Sequence, residues 1–389
     1  MRATADVVIV GGGVTGASIA FHLARAGVRD VVVLERRFLA SGGTGRSVGI
    51  IRQLYPTAEV THMVLRSLDV YRRFDELVGG EAGYVGCGAL IAVGSSMRPR
   101  LERVLALQRP LGVRAELLSP ADAARVEPRV DPARLTGVVY EPDSGYADPS
   151  AVTLAYAAAA RRLGVAVEQG HEVTRILTHA DRVTGVATAG GDVITAPVVV
   201  NAAGLWSPRV AALAGITLPI VIGRHPVFIV ERDPGFGPPH RVFLDLGGGA
   251  YVRPETGALT LTGSLTDDER QHPVDPELLG SEAGFAEATE ALERSSRAMP
   301  RLAEARYRRG YVGAFDITPD WMPILDQSPL AGLWIAAGLS GHGFKLAPAI
   351  GEMMAALITG ASPPVNAVPF RFERFAVVPS GSFVSSYLP

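Results

Sequence analysis

Residues 6–36 read DVVIVGGGVTGASIAFHLARAGVRDVVVLER, and the organisation of the whole chain follows from them. VVIV and VVVLE are continuous apolar runs rich in valine, as expected of parallel strands covered on both faces. Between them lie a glycine turn and a helical stretch. The turn has the form Gly11-x-Gly13-x-x-Gly16, and Glu35 closes the second strand. Gly11 permits the tight turn, Gly13 lets backbone approach a pyrophosphate, and Gly16 lets helix pack on strand. The helix N-terminus then faces the phosphates, and Glu35 can accept from ribose hydroxyls. A terminal acid disfavours a 2′-phosphate, so the stretch predicts binding of FAD or NAD rather than NADP.

The rest of the 389-residue chain is consistent with an ordinary globular protein, 48% hydrophobic and 20% charged, long enough for about two domains. A net charge of −2 argues against nucleic acid as the main partner. The single cysteine, Cys87, excludes an internal disulfide and a thiolate zinc cluster and suits a reducing cytoplasm. No metal site is expected. No signal peptide is visible at the N-terminus, and no apolar run is long enough for a membrane span.

Helices are predicted over about 58–78, 97–109 and 120–126, after Asp148-Pro149, and over about 281–298. Strands at about 172–178, 182–189 and 192–200 read as a hairpin-like set ending in VVVNAAG. From 220 to 265 the texture becomes one of alternating strands with Pro/Gly turns, which predicts an antiparallel sheet. GLWIAAGLSG and APAIGEMMAALITG then return to a strand, a glycine turn and a helix. A nucleotide-binding domain in discontinuous segments, interrupted by a mostly antiparallel one, fits this order. The aromatic tail after about 366 reads either as a cap on the domain or as a surface for a partner.

Seven motifs agree, in order, with one family. They are VVIVGGGVTGASIAFHLARAG with LER, ASGGTGRSVGIIRQLY (40–55), YADPSAVTLAYAAAARRLG (146–164), VVNAAGLWSPRVA (199–211), YVRPETGALTLTG (251–263), ITPDWMPILD (317–326) and GLSGHGFKLAPAIGE (338–352). On these the chain resembles the D-amino-acid-oxidase-like FAD oxidoreductases, in the branch of sarcosine oxidase, glycine oxidase and dimethylglycine dehydrogenase. The resemblance implies an α/β (α+β two-domain) fold. A Rossmann-like FAD-binding domain would comprise segments 1–85, 143–219 and 317–365, and a substrate domain on an antiparallel sheet would comprise 86–142 and 220–316, with 366–389 as a C-terminal tail.

Carried over position by position, the resemblance places Gly11, Gly13, Val14, Thr15, Gly16, Glu35 and Arg36 on the ADP half of FAD. Thr44, Gly45, Arg46 and Ser47 would line the pyrophosphate and flavin edge. Val173 would meet adenine through its backbone, with Ala203, Gly204 and Trp206 closing over the cofactor. Gly341, His342, Gly343, Phe344 and Lys345 would follow the flavin ring, His342 as a cap or hydrogen-bond partner. Arg52 and Lys345 match residues that bind the substrate carboxylate, and a pair of cations suits that task. Lys345 is the one lysine among 37 Lys+Arg residues. Its compact charge on a flexible stem is not interchangeable with an arginine fork.

Two departures from the branch stand out. Gly313 occupies the position where monomeric sarcosine oxidases carry a flavin-linking cysteine, so noncovalent FAD is expected. A second lysine, which assists oxygen reduction in many members, is missing; Arg253 and His225 are candidate stand-ins. Tyr251 and Trp321 are candidates to shape the pocket, and Arg306, Arg308 and Arg309 are weaker candidates for the carboxylate. The implied reaction is two-electron oxidation of the C–N bond of a small amine or amino acid by hydride transfer to flavin, with the imine hydrolysed afterwards. Electrons would pass to O2 or to an electron-acceptor partner such as another subunit or a quinone. A flavoprotein subunit without turnover and an NAD dehydrogenase are the competing readings.

Overall fold

The computed structural model describes residues 2–265 and 273–376. Its centre is a six-stranded sheet. In spatial order the strands are Ile324–Gln327, Leu333–Ala337, Val198–Asn201, Val7–Val10, Val31–Glu35 and Ala166–Gln169. All neighbours are parallel except the Ile324–Gln327 edge, which is antiparallel. The continuous apolar runs are explained by what covers them. Val7, Ile9, Val31 and Val33 face the helices Val14–Arg25, Ala58–Arg72, Pro149–Arg162 and Gly343–Thr359. Their alternates Val8, Val10, Val32 and Leu34 face a small sheet through Val173, Ile176, Val186 and Ile194. Side chains alternate with period two, so both sets must be apolar once both faces are covered.

That small sheet corrects one expectation. Its three antiparallel strands are Val173–His179, Arg182–Thr188 and Val193–Thr195, and Val198–Asn201 belongs to the central sheet instead. The run 192–200 is therefore two strands, divided at Ala196-Pro197, where proline has no N–H to continue a ladder. The expected helix 58–78 likewise divides, into Ala58–Arg72 and Phe74–Leu77. Asp148 caps the next long helix, accepting from Ser150 N at 2.8 Å and Ala151 N at 3.0 Å.

The second large layer is an eight-stranded sheet, antiparallel except for one parallel pair, Val242–Asp245 with Ala89–Val93. Its longest strand, Arg306–Ile317, pairs along Val221–Glu231 and runs back to the central sheet. A two-stranded ladder, Ile50–Ile51 with Gly145–Tyr146, sits beside it and delivers Arg52. The described part of the tail packs on the Ile324–Gln327 edge. Phe370 is fully buried, Phe372 N donates to Asp326 and Arg374 pairs with Asp320. Residues 377–389 lie outside the described residues.

Candidate functional site

The glycine turn after Val7–Val10 has backbone that no side chain could replace. Gly11 has φ +117°, and a Cβ there would lie 2.4 Å from the Ala202 carbonyl oxygen. A Cβ on Gly16 would lie 2.0 Å from the Gly11 oxygen, so the helix rests directly on the turn. Gly13 is the N-cap of the helix Val14–Arg25 and supplies no side-chain cap. Thr44 Oγ1 accepts from Val14 N at 3.1 Å, and the N-terminal turn opens on a cavity of about 460 Å3 with Gly11, Gly13, Val14 and Thr15 in its wall. Exposed N–H groups and the helix dipole make that wall suited to phosphate. Glu35 also faces the cavity. Its carboxylate accepts from Gly12 N and Arg37 N, each at 2.8 Å, which fixes its direction.

Thr44, Arg46 and Ser47 continue the wall, whereas Gly16 and Gly45 lie behind it, Gly45 within the short turn Thr44–Arg46. Arg46 Nη1 reaches Val312 O at 3.1 Å and so ties this turn to the strand Arg306–Ile317 of the second large sheet. At the far end Val173, Ala203, Gly204 and Trp206 line the cavity. Arg36 lines it too, but its guanidinium is already engaged. It stacks 4.0 Å over the Trp206 ring and donates to Glu277 at 2.6 Å, and Trp206 Nε1 donates to the same Glu277 oxygen at 2.7 Å. Glu277 and His171, also in this wall, lie outside the seven motifs, and Arg209 falls within VVNAAGLWSPRVA but has no role assigned there. Only the folded path of 273–280 brings Glu277 here.

The opposite end is built around the turn Gly338–His342. Gly338 has φ +67°, Ser340 φ 49° and Gly341 φ 73°, three left-handed residues in four. Asp316 holds this strained turn with two groups: its carboxylate accepts from Gly338 N at 2.9 Å and its carbonyl from Ser340 N at 3.0 Å. The turn leads into the helix Gly343–Thr359, capped at His342. Pro348 has no N–H for the Phe344 carbonyl, and the Tyr71 hydroxyl donates to that oxygen instead, at 2.5 Å. Gly341, His342, Gly343, Phe344 and Lys345 all line the cavity.

Arg52 lines it as well and is 7% exposed, as is Lys345. The Arg52 guanidinium donates to the Leu54 carbonyl and lies 4.5 Å over the Tyr55 ring. Lys345 Nζ donates to Gly341 O at 3.1 Å. Among the described residues no carboxylate pairs with either cation. Burial, with Arg52 beside it, holds the Lys345 amino group well below the ordinary lysine range. Burial, then Lys345 and Arg52, likewise push His342 well below the histidine range. The buried Glu141, missed in the sequence, lies behind Arg52. It accepts from Gln53 N at 2.8 Å and Ser144 Oγ at 2.6 Å, and burial raises its carboxyl. Asp316, in the cavity wall, is pushed up to about 6 by burial.

His225 and Tyr251 close the other side, Nε2 to hydroxyl at 3.1 Å, with Phe315 stacked 4.4 Å from His225. Arg253 is a correction: it does not line the cavity. It is bound to Val48 O at 2.7 Å and Glu255 at 2.8 Å, because it stands two residues further along the strand than Tyr251, about 7 Å away. Trp321 and Arg306, Arg308 and Arg309 also lie outside the wall, and Arg308 pairs with Glu231. Gly313 is in the wall, and Cys87 is not.

A glycine cradle facing a helix N-terminus, with a fixed carboxylate beside it, fits the ADP half of FAD. The described residues contain no cluster of His, Cys, Asp or Glu that could hold a metal ion, and no helix long and apolar enough to cross a membrane.

Comparison with known proteins agrees with this geometry. The chain is 30% identical over 95% of its length to 4-methylaminobutanoate oxidase (formaldehyde-forming) of Paenarthrobacter nicotinovorans, covering 45% of that protein. It is 31% identical over 95% of its length to sarcosine oxidase subunit beta of Rhizobium meliloti (strain 1021), covering 88% of it. The chain thus spans less than half the length of several curated relatives it matches, and most of the length of others. Among solved structures, L-proline dehydrogenase from P. horikoshii superposes with a TM-score of 0.88 at 27% identity, over 97% of this chain and 99% of that one. With residues 6–357 matching the profile described as DAO, FAD dependent oxidoreductase, the chain belongs to that family of flavin enzymes.

Proposed function

We propose that this chain holds FAD noncovalently and oxidises the C–N bond of a small amino acid bearing a secondary or N-methylated amine. The observation that carries this reading is the pair Arg52 and Lys345, two buried basic side chains facing one cavity with no carboxylate of the described residues paired to them. Such a pair suits a substrate carboxylate, which supplies the missing charge. The names of relatives that act on sarcosine, dimethylglycine and 4-methylaminobutanoate support the substrate class.

In this reading Gly11, Gly13, Thr15 and Glu35 would hold the ADP half, and the Gly341–Lys345 segment would face the flavin. The flavin, when bound, accepts a hydride from the carbon bonded to the substrate nitrogen. Arg52 and Lys345 fix the carboxylate so that this carbon is presented in one orientation. His225, Tyr251 and Phe315 wall the pocket on the other side and exclude water. The imine product then hydrolyses to amine and carbonyl compound. We assign segments 1–85, 143–219 and 317–365 to FAD binding and 86–142 and 220–316 to the substrate side, and place the chain in the cytoplasm.

For the electron acceptor two readings stand. Oxygen is the simpler one. The missing second lysine and the resemblance to a sarcosine oxidase beta subunit favour transfer to a partner subunit. Stopped-flow mixing of reduced protein with air-saturated buffer separates them, since reoxidation no faster than that of free flavin removes the oxidase reading. The substrate class is tested by anaerobic mixing with sarcosine, dimethylglycine, proline, glycine and D-alanine. Loss of oxidised-flavin absorbance with a member of this set is expected. Equal bleaching by a methylamine lacking a carboxylate would remove the anchor from the argument.

A further inference from the structure

Resting on the reading above, we propose that Lys345 is the group that takes the ammonium proton of the substrate when an amino acid docks its carboxylate against Arg52. A free amino acid carries an ammonium group, and hydride cannot leave its carbon until the nitrogen lone pair is free. That proton passes to a group that faces the cavity or to water.

The geometry selects Lys345. It is 7% exposed, and its amino group donates to Gly341 O. Arg52 is equally buried, faces the same cavity and remains a cation, because a guanidinium does not deprotonate. A second buried cation beside it, with no carboxylate of the described residues paired to it, is unfavourable, and burial together with Arg52 favours Lys345 as the neutral amine with an open lone pair. A zwitterion changes this balance. Its carboxylate brings the absent negative charge, and its ammonium is bonded to the same carbon as that carboxylate. One N–H bond breaks on the substrate and one forms on Lys345 Nζ. No electrons are exchanged, and the charge of the site plus ligand is unchanged. The outcome is a carboxylate held by two cations and an amine ready for oxidation.

The other groups facing this space are less suited. His342 has Nδ1 on the Tyr55 hydroxyl at 3.2 Å and is disfavoured as a cation by the same neighbours. The Asp316 carboxylate is directed at Gly338 N. His225 and Tyr251 bond each other on the other side of the cavity, and Glu141 is committed to Gln53 and Ser144 behind Arg52.

The test is proton counting on the oxidised, FAD-loaded protein with acetate, a carboxylate that brings no ammonium proton. Titration calorimetry in buffers of different ionisation enthalpy at pH 7.5 is expected to give uptake of roughly one proton per acetate bound. Lys345→Met should abolish the uptake, while His342→Asn and Asp316→Asn should retain it. Should Lys345→Met not fold, the wild-type profile suffices: the acetate Kd should rise about tenfold per pH unit above neutrality. Absence of uptake, uptake surviving in Lys345→Met, uptake lost in His342→Asn or Asp316→Asn, or a flat pH profile overturns the assignment. Anaerobic bleaching by sarcosine reports separately on the proposed function. Bleaching without proton uptake overturns the role of Lys345 alone, whereas neither acetate binding nor bleaching overturns both.

Discussion

Tyr55 and His342 meet hydroxyl to ring nitrogen at 3.2 Å, with their rings edge to face at 5.3 Å. This contact joins the segment that carries Arg52 to the N-cap of the helix that carries Lys345. Burial pushes the Tyr55 phenol up to about 12, so it remains a donor throughout the working range of pH. Tyr55→Phe leaves a buried ring nitrogen without its partner and should destabilise the protein by about 1–3 kcal/mol. Urea unfolding checks this, and an unchanged midpoint would mean that the two segments are held together by packing alone.

Lys345→Arg, conservative on paper, should keep FAD bound and still attract a carboxylate. It should nevertheless slow amine oxidation about a hundredfold or more, because arginine cannot accept a proton and its fork needs more room. The fall is expected mainly in flavin reduction at saturating substrate, followed anaerobically by absorbance. Wild-type reduction rates in this variant would make the choice of lysine incidental.

Gly16→Ala tests the cradle. The new Cβ would lie 2.0 Å from the Gly11 carbonyl, backbone that cannot yield without moving the turn itself. We expect the purified variant to lose most of its flavin, read as the 450 nm to 280 nm absorbance ratio with free FAD as the standard. Full flavin content would show that the turn can shift without loss of the site.

Asp316 makes stability depend on pH with a definite sign. Its folded carboxyl is raised to about 6 from the ordinary 3.8, so the folded state binds the proton more tightly than the unfolded one. The associated stability is fully present below about pH 4 and is lost as pH rises through about 6, with ~3 kcal/mol as the upper scale. Asp316→Asn keeps an oxygen to accept from Gly338 N and removes the charge. Urea midpoints at fixed excess FAD should therefore fall less between pH 4 and 7 in the variant than in the wild type. An identical pH dependence would place the titration elsewhere.

The glycine turn was legible because it is local. Gly11, Gly13, Gly16 and Glu35 stand within one strand-helix-strand unit, and their spacing alone sets the turn, the helix start and the position of the acid. The layering was legible for a related reason: continuous valine runs mark strands covered on both faces, and alternating ones mark the second sheet. Arg253 was misplaced because strand periodicity gives the face of a side chain but not where the cavity ends.

What tertiary structure decided is every relation between distant segments. Composition singled out Lys345, but only the fold places it beside Arg52 with no carboxylate of the described residues paired to either. Glu277 reaches Arg36 and Trp206, and Asp316 reaches Gly338 and Ser340, through chain paths that carry no local signal. Local spacing fixes backbone conformation, because turns and helices close over a few residues. The electrostatics of a buried site depends on which charges share a cavity, and that is settled only when separate elements pack together.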